Sequence, residues 1–238
     1  MKIVLLGYGK MGKEIEKIAL DRKHEIVLKV DESNHTSIGK EQLSKGEVAI
    51  EFSTPHTVEE NIYKCFNANL PVVVGTTGWY DNFEKISADC KKRNNSLFHA
   101  TNFSVGVNLF FKVNKYLAEL MNNYPEYNVS MEEIHHIHKL DKPSGTAITL
   151  ANQVIEKIKS KNSWSIDPAR KNDPTTLFIE DKREGEVPGT HILKYTSPID
   201  DIEIMHKAHN RKGFALGAVL AAEFLYKKKG IYTMEDLI

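Results

Sequence analysis

Ile3-Val4-Leu5-Leu6-Gly7-Tyr8-Gly9-Lys10-Met11-Gly12 opens the chain and decides its fold class. Four apolar residues read as a buried strand, and Met11, Ile15, Ile18 and Ala19 recur at helical spacing just beyond. Between strand and helix stands G-x-G-x-x-G. Its glycines permit a tight turn, close approach of a pyrophosphate and close strand–helix packing, while the helix N-terminus favours anionic charge. Gly7, Tyr8, Gly9, Lys10, Met11 and Gly12 are therefore candidate dinucleotide-binding residues. Alone the pattern is weak; placed between the first strand and the first helix it is specific.

Outward from this stretch the alternation continues. Apolar runs at residues 26–30, 48–52, 72–74 and 97–99 are separated by helical patterns at 57–67 and 81–93. Such alternation predicts an α/β, Rossmann-like doubly wound parallel sheet. Asp31 closes the second strand, where an acidic residue bonds the adenosine ribose hydroxyls. Asp31-Glu32-Ser33-Asn34 also has the composition of a turn, but the strand context favours the ribose role. A 2′-phosphate would meet Asp31 and Glu32 with no adjacent arginine, so NADH is expected to be preferred over NADPH. Lys40, read as a loop residue, is a cation that could fold back. Two loops follow the fourth and fifth strands: Gly75, Thr76 and Thr77 with Gly78, then Ala100, Thr101, Asn102 and Phe103 with Ser104. Ligands gather outside the carboxyl ends of such strands, so these loops are candidates for nicotinamide contact, although each alone could be a turn.

The pattern changes after Asn102. Residues 103–123 predict one long helix with Val107, Phe110, Val113, Leu117 and Leu120 on a face. Strand-like sequence follows at 128–134, then a helix from Ser144 to about residue 160 and a polar stretch at 161–174. Strand-like runs resume at 177–180, 191–196 and 202–208, and a last apolar helix covers 211–227. The expected organisation is a dinucleotide-binding domain at 1–103 and 211–238, interrupted by an α+β domain with a mixed sheet at 104–210. Joins at those boundaries suggest a hinge that closes on substrate.

The chemistry concentrates in His135-His136-Ile137-His138-Lys139-Leu140-Asp141-Lys142-Pro143-Ser144-Gly145-Thr146-Ala147. Ser144, after Pro143, reads as an N-cap, which makes the Gly145 and Thr146 amides first-turn donors without an intrahelical partner. Those donors and the helix dipole favour a carboxylate or phosphate. His135 and Lys139 are four apart, on one side of a helix or a strand. A histidine exchanges protons near neutrality, and a lysine beside it supplies charge or a proton. A metal site is the rival reading, because His-x-His can serve one ion. The segment lacks His-Glu-x-x-His and cysteine ligands, and its lysine opposes a dication, so no metal is expected.

Composition narrows the partners. The 238 residues carry 32 Lys+Arg against 32 Asp+Glu, a balance that offers nothing to nucleic acid or an anionic membrane surface. Lys91-Lys92-Arg93 and Lys227-Lys228-Lys229 read as solvated helix ends. Cys65 and Cys90 are too few for a disulfide framework and fall in helical patterns, as reduced buried residues would. The apolar run at 3–6 is too short for a signal-peptide core or a membrane span, so a cytoplasmic protein is expected.

Together these residues resemble the dihydrodipicolinate reductase (4-hydroxy-tetrahydrodipicolinate reductase) family of bacterial lysine and diaminopimelate synthesis, over nearly the whole chain. The most specific part runs from Glu133 to Ala147, similar to the family's E-x-H-H-x-x-K-x-D-x-P-S-G-T-A signature. Gly75-Thr76-Thr77-Gly78, Asn102-Phe103-Ser104-Val105-Gly106-Val107-Asn108 and Arg211-x-x-Phe214-Ala215-x-Gly217-Ala218 also look like family segments. The resemblance implies that His135 is the catalytic acid/base and Lys139 the proton donor, with His136, Gly145 and Thr146 binding a cyclic dicarboxylate. It places NADH or NADPH along residues 7–12, Asp31, 75–77 and 100–103. The reaction implied is hydride transfer to the ring with protonation of the adjacent carbon. The resemblance also implies that the middle domain binds substrate and builds a homotetramer. Three features depart from the family pattern: a nucleotide loop one residue shorter than G-x-x-G-x-x-G, a shorter chain, and Thr54 where some members carry arginine. An aspartate or sugar dehydrogenase would share the nucleotide half but leave the histidine–lysine cluster unexplained. A non-catalytic NADH sensor would bind cofactor without turnover.

Overall fold

The computed structural model describes residues 1–210 and 212–238. The chain forms two compact units, Met1–Val105 with Lys212–Ile238, and Gly106–Arg211. In chain order the first unit begins β1 (Lys2–Leu6), α1 (Lys10–Asp21), β2 (Glu25–Val30), α2 (Lys40–Leu43), β3 (Val48–Glu51), α3 (Val58–Asn67), β4 (Val72–Val74), α4 (Phe83–Lys92) and β5 (Ser96–His99). α5 (Val105–Met121), β6 (Asn128–His135), α6 (Gly145–Lys157), β7 (Ser163–Ser165), β8 (Thr176–Arg183), β9 (Thr190–Thr196) and β10 (Asp201–Lys207) follow. The chain then returns to the first unit with α7 (Lys212–Leu225), β11 (Gly230–Tyr232) and α8 (Met234–Leu237). The expected helix start at Arg211 lies outside the described residues.

The first unit is a six-stranded parallel sheet in the order β11-β5-β4-β3-β1-β2. Its strands are largely apolar because helices cover both faces. Val4, Leu6, Val72 and Val74 pack with Ile62 and Phe66 of α3 and Ile86 of α4. Ile3, Leu5, Ile50 and Val73 point the other way, against Ile15 of α1 and Ala218 and Val219 of α7. Successive residues thus feed opposite cores, the period-2 geometry of a strand. This is the doubly wound sheet expected from the alternation. Three short elements of this unit were not legible, among them the four-residue α8. Lys40 begins the single-turn α2 rather than lying in a loop, and β11, three residues long, adds to the edge at β5. Cys65 and Cys90 are free and buried in α3 and α4, where burial pushes both thiol pKa values up, that of Cys90 to about 11.

The second unit carries a mixed five-stranded sheet, β10-β9-β6-β8-β7, with β6 parallel to β8 and antiparallel to β9. Val129, Met131, Leu177, Ile179, Leu193 and Tyr195 form one face and pack with Phe110, Ala118 and Met121 of α5 and Leu150, Ala151 and Val154 of α6. The buried face of α5 differs from the one expected: Val107, Phe110, Asn114, Ala118 and Met121 are buried, whereas Val113 and Leu120 are 50% and 44% exposed. Asn114 is responsible. Its amide donates to Leu150 O at 3.1 Å and Gln153 Oε1 at 2.9 Å, so a polar residue turns inward on a tertiary partner. Among the described residues no helix is long and apolar enough to cross a membrane.

Candidate active site

In the first unit the winding of the sheet reverses between β1 and β3, and ligands bind outside the strand ends at such a point. A cleft of about 630 Å³ lies there, lined by Gly7, Tyr8, Gly9, Asp31, Ser53 and Thr54 among others. Gly7 has φ +98°, and a Cβ on it would stand 2.1 Å from the Phe52 carbonyl oxygen. A Cβ on Gly12 would stand 2.3 Å from Gly7 O, so α1 packs on the turn only because residue 12 is glycine. Gly9 is the N-cap of α1 and provides no side-chain cap, and a side chain there would meet nothing within 4 Å. The uncapped turn formed by Lys10, Met11 and Gly12 therefore offers amide donors beside open space, which fits a pyrophosphate.

Asp31 lines the same cleft. Its Oδ1 accepts from Ser33 Oγ at 2.6 Å and Ser33 N at 2.9 Å, and those bonds hold the carboxyl below its usual range. The turn geometry and the position at the cleft coexist. Beneath the cleft lies a residue that sequence reading passed over, Glu51. It is fully buried at the end of β3, where burial pushes its carboxyl up. Oε1 accepts from Ser53 N, Ser53 Oγ and Asn61 Nδ2, which ties down the loop that carries Ser53 and Thr54.

The two other loops are placed differently from the glycine turn. Thr76 Oγ1 accepts from Ser53 N at 2.8 Å, joining the loop after β4 to the loop after β3. A Cβ on Gly75 would collide with the Phe52 ring. Thr77 and Thr101 are exposed. Asn102 Oδ1 accepts from Ser104 N at 2.8 Å. Ala100 packs on the core to which Phe103 belongs, and the Phe103 ring contacts Phe52 and Phe98. Phe103 is 2% exposed, so its side chain is a core residue and only its backbone remains for a ligand.

In the second unit, β6 alternates in burial, and the buried set continues from Val129 and Met131 to Glu133 and His135. The apolar face of the sheet becomes polar at its last two inward positions. Glu133 pairs in register with His191 of β9 and Asp181 of β8, and His135 with Arg183 of β8. Glu133 Oε2 stands 3.4 Å from His135 Nε2 and 3.5 Å from His191 Nε2. Its Oε1 accepts from Ser144 N at 2.9 Å. Burial opposes the Glu133 charge, but His135, His191 and Ser144 together outweigh it and hold the carboxyl well below its usual range. Burial lowers the His191 pKa despite the neighbouring carboxylate.

Ser144 caps α6 as expected, accepting from Ala147 N at 3.1 Å, and the same hydroxyl lies 3.1 Å from His191 Nε2. Gly145 and Thr146 then form the first turn. His136 to Lys139 are neither helix nor strand: Lys139 N donates to His136 O, closing a turn after β6. Lys139 Nζ lies 2.8 Å from Asp141 Oδ1 and holds that carboxyl below its usual range. Arg183 pins the turn, donating to Lys139 O at 3.3 Å and Asp141 O at 2.7 Å while paired with Asp181. His138 is exposed beside Glu186. The His-x-His pair is therefore not the one that converges. Glu133, His135 and His191 are, with ligand atoms all within 4.8 Å of one another, a nitrogen–nitrogen–oxygen set of the kind that tetrahedral zinc accepts. His191, Asp181 and Arg183 went unremarked in the sequence. The period-2 run Val129, Met131, Glu133, His135 was the available signal that Glu133 lies beside His135.

Comparison with known proteins places the chain. The family profile "Dihydrodipicolinate reductase, N-terminus" matches residues 1–103, and "Dihydrodipicolinate reductase, C-terminus" matches residues 106–238. A 4-hydroxy-tetrahydrodipicolinate reductase of Christiangramia forsetii is 49% identical over 100% of this chain and 98% of its own. One of Thermosipho africanus is 33% identical over the same shares. A solved dipicolinate-bound dihydrodipicolinate reductase from Paenisporosarcina sp. TG-14 shares the fold, with a TM-score of 0.79 at 22% identity over 100% of both chains. With a glycine turn at the switch point of one unit and a histidine–carboxylate cluster at a helix start in the other, the chain belongs to the dihydrodipicolinate reductase family.

Proposed function

We propose that this chain is an NAD(P)H-dependent 4-hydroxy-tetrahydrodipicolinate reductase of lysine and diaminopimelate synthesis, with NADH the preferred cofactor. The observation that carries the reading is the cluster of His135, Glu133 and Ser144 at the start of α6, in a chain 49% identical over its full length to a protein of that name. The unit formed by Met1–Val105 and Lys212–Ile238 is assigned cofactor binding, through residues 7–12, Asp31, 75–77 and 100–103. Asp31 and Glu32 both line the cleft and favour a ribose hydroxyl over a 2′-phosphate. The other unit is assigned substrate binding and assembly of a homotetramer, in the cytoplasm.

A bound nicotinamide cofactor supplies hydride to the ring of the substrate. His135 and Lys139 supply the proton that the adjacent carbon must gain, with His135 as acid/base and Lys139 as donor. A cyclic dicarboxylate needs donors for its anionic ends, and the Gly145 amide, Thr146, His136 and the Lys139 ammonium provide them. Lys139 leaves Asp141 for the substrate carboxylate, an exchange of one carboxylate partner for another.

The test is oxidation of NADH or NADPH, followed by absorbance, with substrate generated in place from pyruvate and aspartate semialdehyde by the preceding synthase. Rapid synthase-dependent oxidation that collapses in His135→Gln is expected, with higher kcat/KM for NADH. Binding of NADH without oxidation of either cofactor would overturn the reductase reading. Equal or better efficiency with NADPH would overturn the cofactor preference alone.

A further inference from the structure

We propose that Glu133 is the positioning residue of the proton-transfer site: its carboxylate holds the His135 proton on Nε2 and ties the imidazole to the start of α6, so that His135 exchanges its working proton at Nδ1. The proposal rests on the reductase reading for its catalytic meaning, and on geometry for the rest.

Glu133 is 0% exposed, so a carboxylate there persists only if donors converge on it. The Ser144 amide supplies one at 2.9 Å, and the two imidazoles present Nε2 to the other oxygen at 3.4 and 3.5 Å. The 3.4 Å to His135 is an ion-pair distance without a formed hydrogen bond, and an unprotonated Nε2 there would set a lone pair beside the carboxylate, so Nε2 of His135 carries the hydrogen. A neutral imidazole then has its acceptor at Nδ1. The Nδ1–Cε1 edge faces Gly189, whose φ is +156°. A Cβ there would stand 2.9 Å from Cε1 and 3.3 Å from Nδ1, so glycine keeps this edge clear. Because Ser144 bonds Glu133 through its amide and caps α6 through its hydroxyl, one carboxylate sets both the imidazole and the anion-binding helix start.

Other charges surround the pair and are retained when Glu133 is altered. They are His191 on β9 with His206 on β10 behind it, Asp181 and Arg183 on β8, and Lys139, Asp141 and Lys142 in the following turn.

The test reads tautomer and turnover separately. In the ligand-free protein labelled with nitrogen-15 histidine, the neutral His135 signal, identified by its loss in His135→Gln, should show the Nε2–H pattern. In Glu133→Gln the Nε2–H pattern should give way to a mixture of the two tautomers. The kcat should drop about tenfold or more with KM within about threefold, and Glu133→Asp should restore part of both the tautomer and kcat. An Nδ1–H tautomer in the unaltered protein overturns the proposal whether or not the variant folds. So does Glu133→Gln with unchanged tautomer and kcat. The expected tautomer in a protein that does not oxidise NADH or NADPH would support the positioning role and reject the reductase reading instead.

Discussion

Replacement of Ser144 by alanine tests the link between fold and site most directly. Ser144 is 3% exposed, and its hydroxyl both caps α6 at Ala147 N and lies 3.1 Å from His191 Nε2. Losing a serine N-cap costs ~1 kcal/mol, and losing a buried neutral hydrogen bond costs about as much again. The backbone bond from Ser144 N to Glu133 survives, so the variant removes the hydroxyl contributions alone. A combined loss of about 2 kcal/mol lowers protection against amide exchange roughly 30-fold. Hydrogen exchange read by mass spectrometry should show this loss in α6 and in β6 and β9. The β1–β5 sheet of the other unit serves as the internal reference. Ser144→Thr, which keeps the hydroxyl, should lie close to the unaltered protein. Protection of α6 within about twofold of the unaltered protein would refute the reasoning, because neither bond would then carry the energy assigned to it.

Acid should weaken the second unit in two stages. The His191 pKa is lowered from 6.5, so the folded unit binds fewer protons there and stability falls as pH drops below 6.5. Glu133 lies well below its ordinary 4.5, so its contribution is present above 4.5 and is lost as pH falls further. Urea midpoints at graded pH should show both stages, with the upper one missing in His191→Gln; a midpoint constant from pH 7 to 4 would contradict the assignment. Arg183→Met should free the turn that Arg183 holds through Lys139 O and Asp141 O and cut kcat/KM on the order of 10- to 100-fold. Arg183→Lys should not restore it, since an ammonium does not span both carbonyls; steady-state kinetics decide. Gly7→Ala should abolish NADH binding and destabilise the first unit by at least ~2 kcal/mol, because a Cβ would collide with the Phe52 backbone. Fluorescence titration with NADH and a melting curve check it, and near-normal affinity would count against the steric argument.

Much of this was legible along the chain because it depends on spacing. Apolar runs alternating with helical patterns predicted the parallel sheet, and Gly7, Gly9 and Gly12 predicted the turn that opens into the cleft. Pro143 followed by Ser144 predicted the cap of α6, which is a bond between neighbours. Two readings failed for opposite reasons. β11 has too few residues to carry a period, and it becomes a strand only by pairing with β5. The face of α5 is turned by Asn114, whose partners on α6 lie 36 and 39 positions away.

The site divides along the same line. The sequence by itself determined that His135 and Lys139 stand just before a helix start, and that a glycine turn follows the first strand, since both are properties of consecutive residues. Only the tertiary structure decided which groups complete the site. His191 reaches Ser144 from 47 positions away, and Arg183 reaches the Asp141 carbonyl from 42. Glu133 meets His191 because β6 and β9 pair in one register. A strand shifted by a single residue would turn Glu133 and His135 to the opposite face. What sets that register is the burial of Val129, Met131, Leu193 and Tyr195 in one shared core, a sum over distant partners that no local spacing contains.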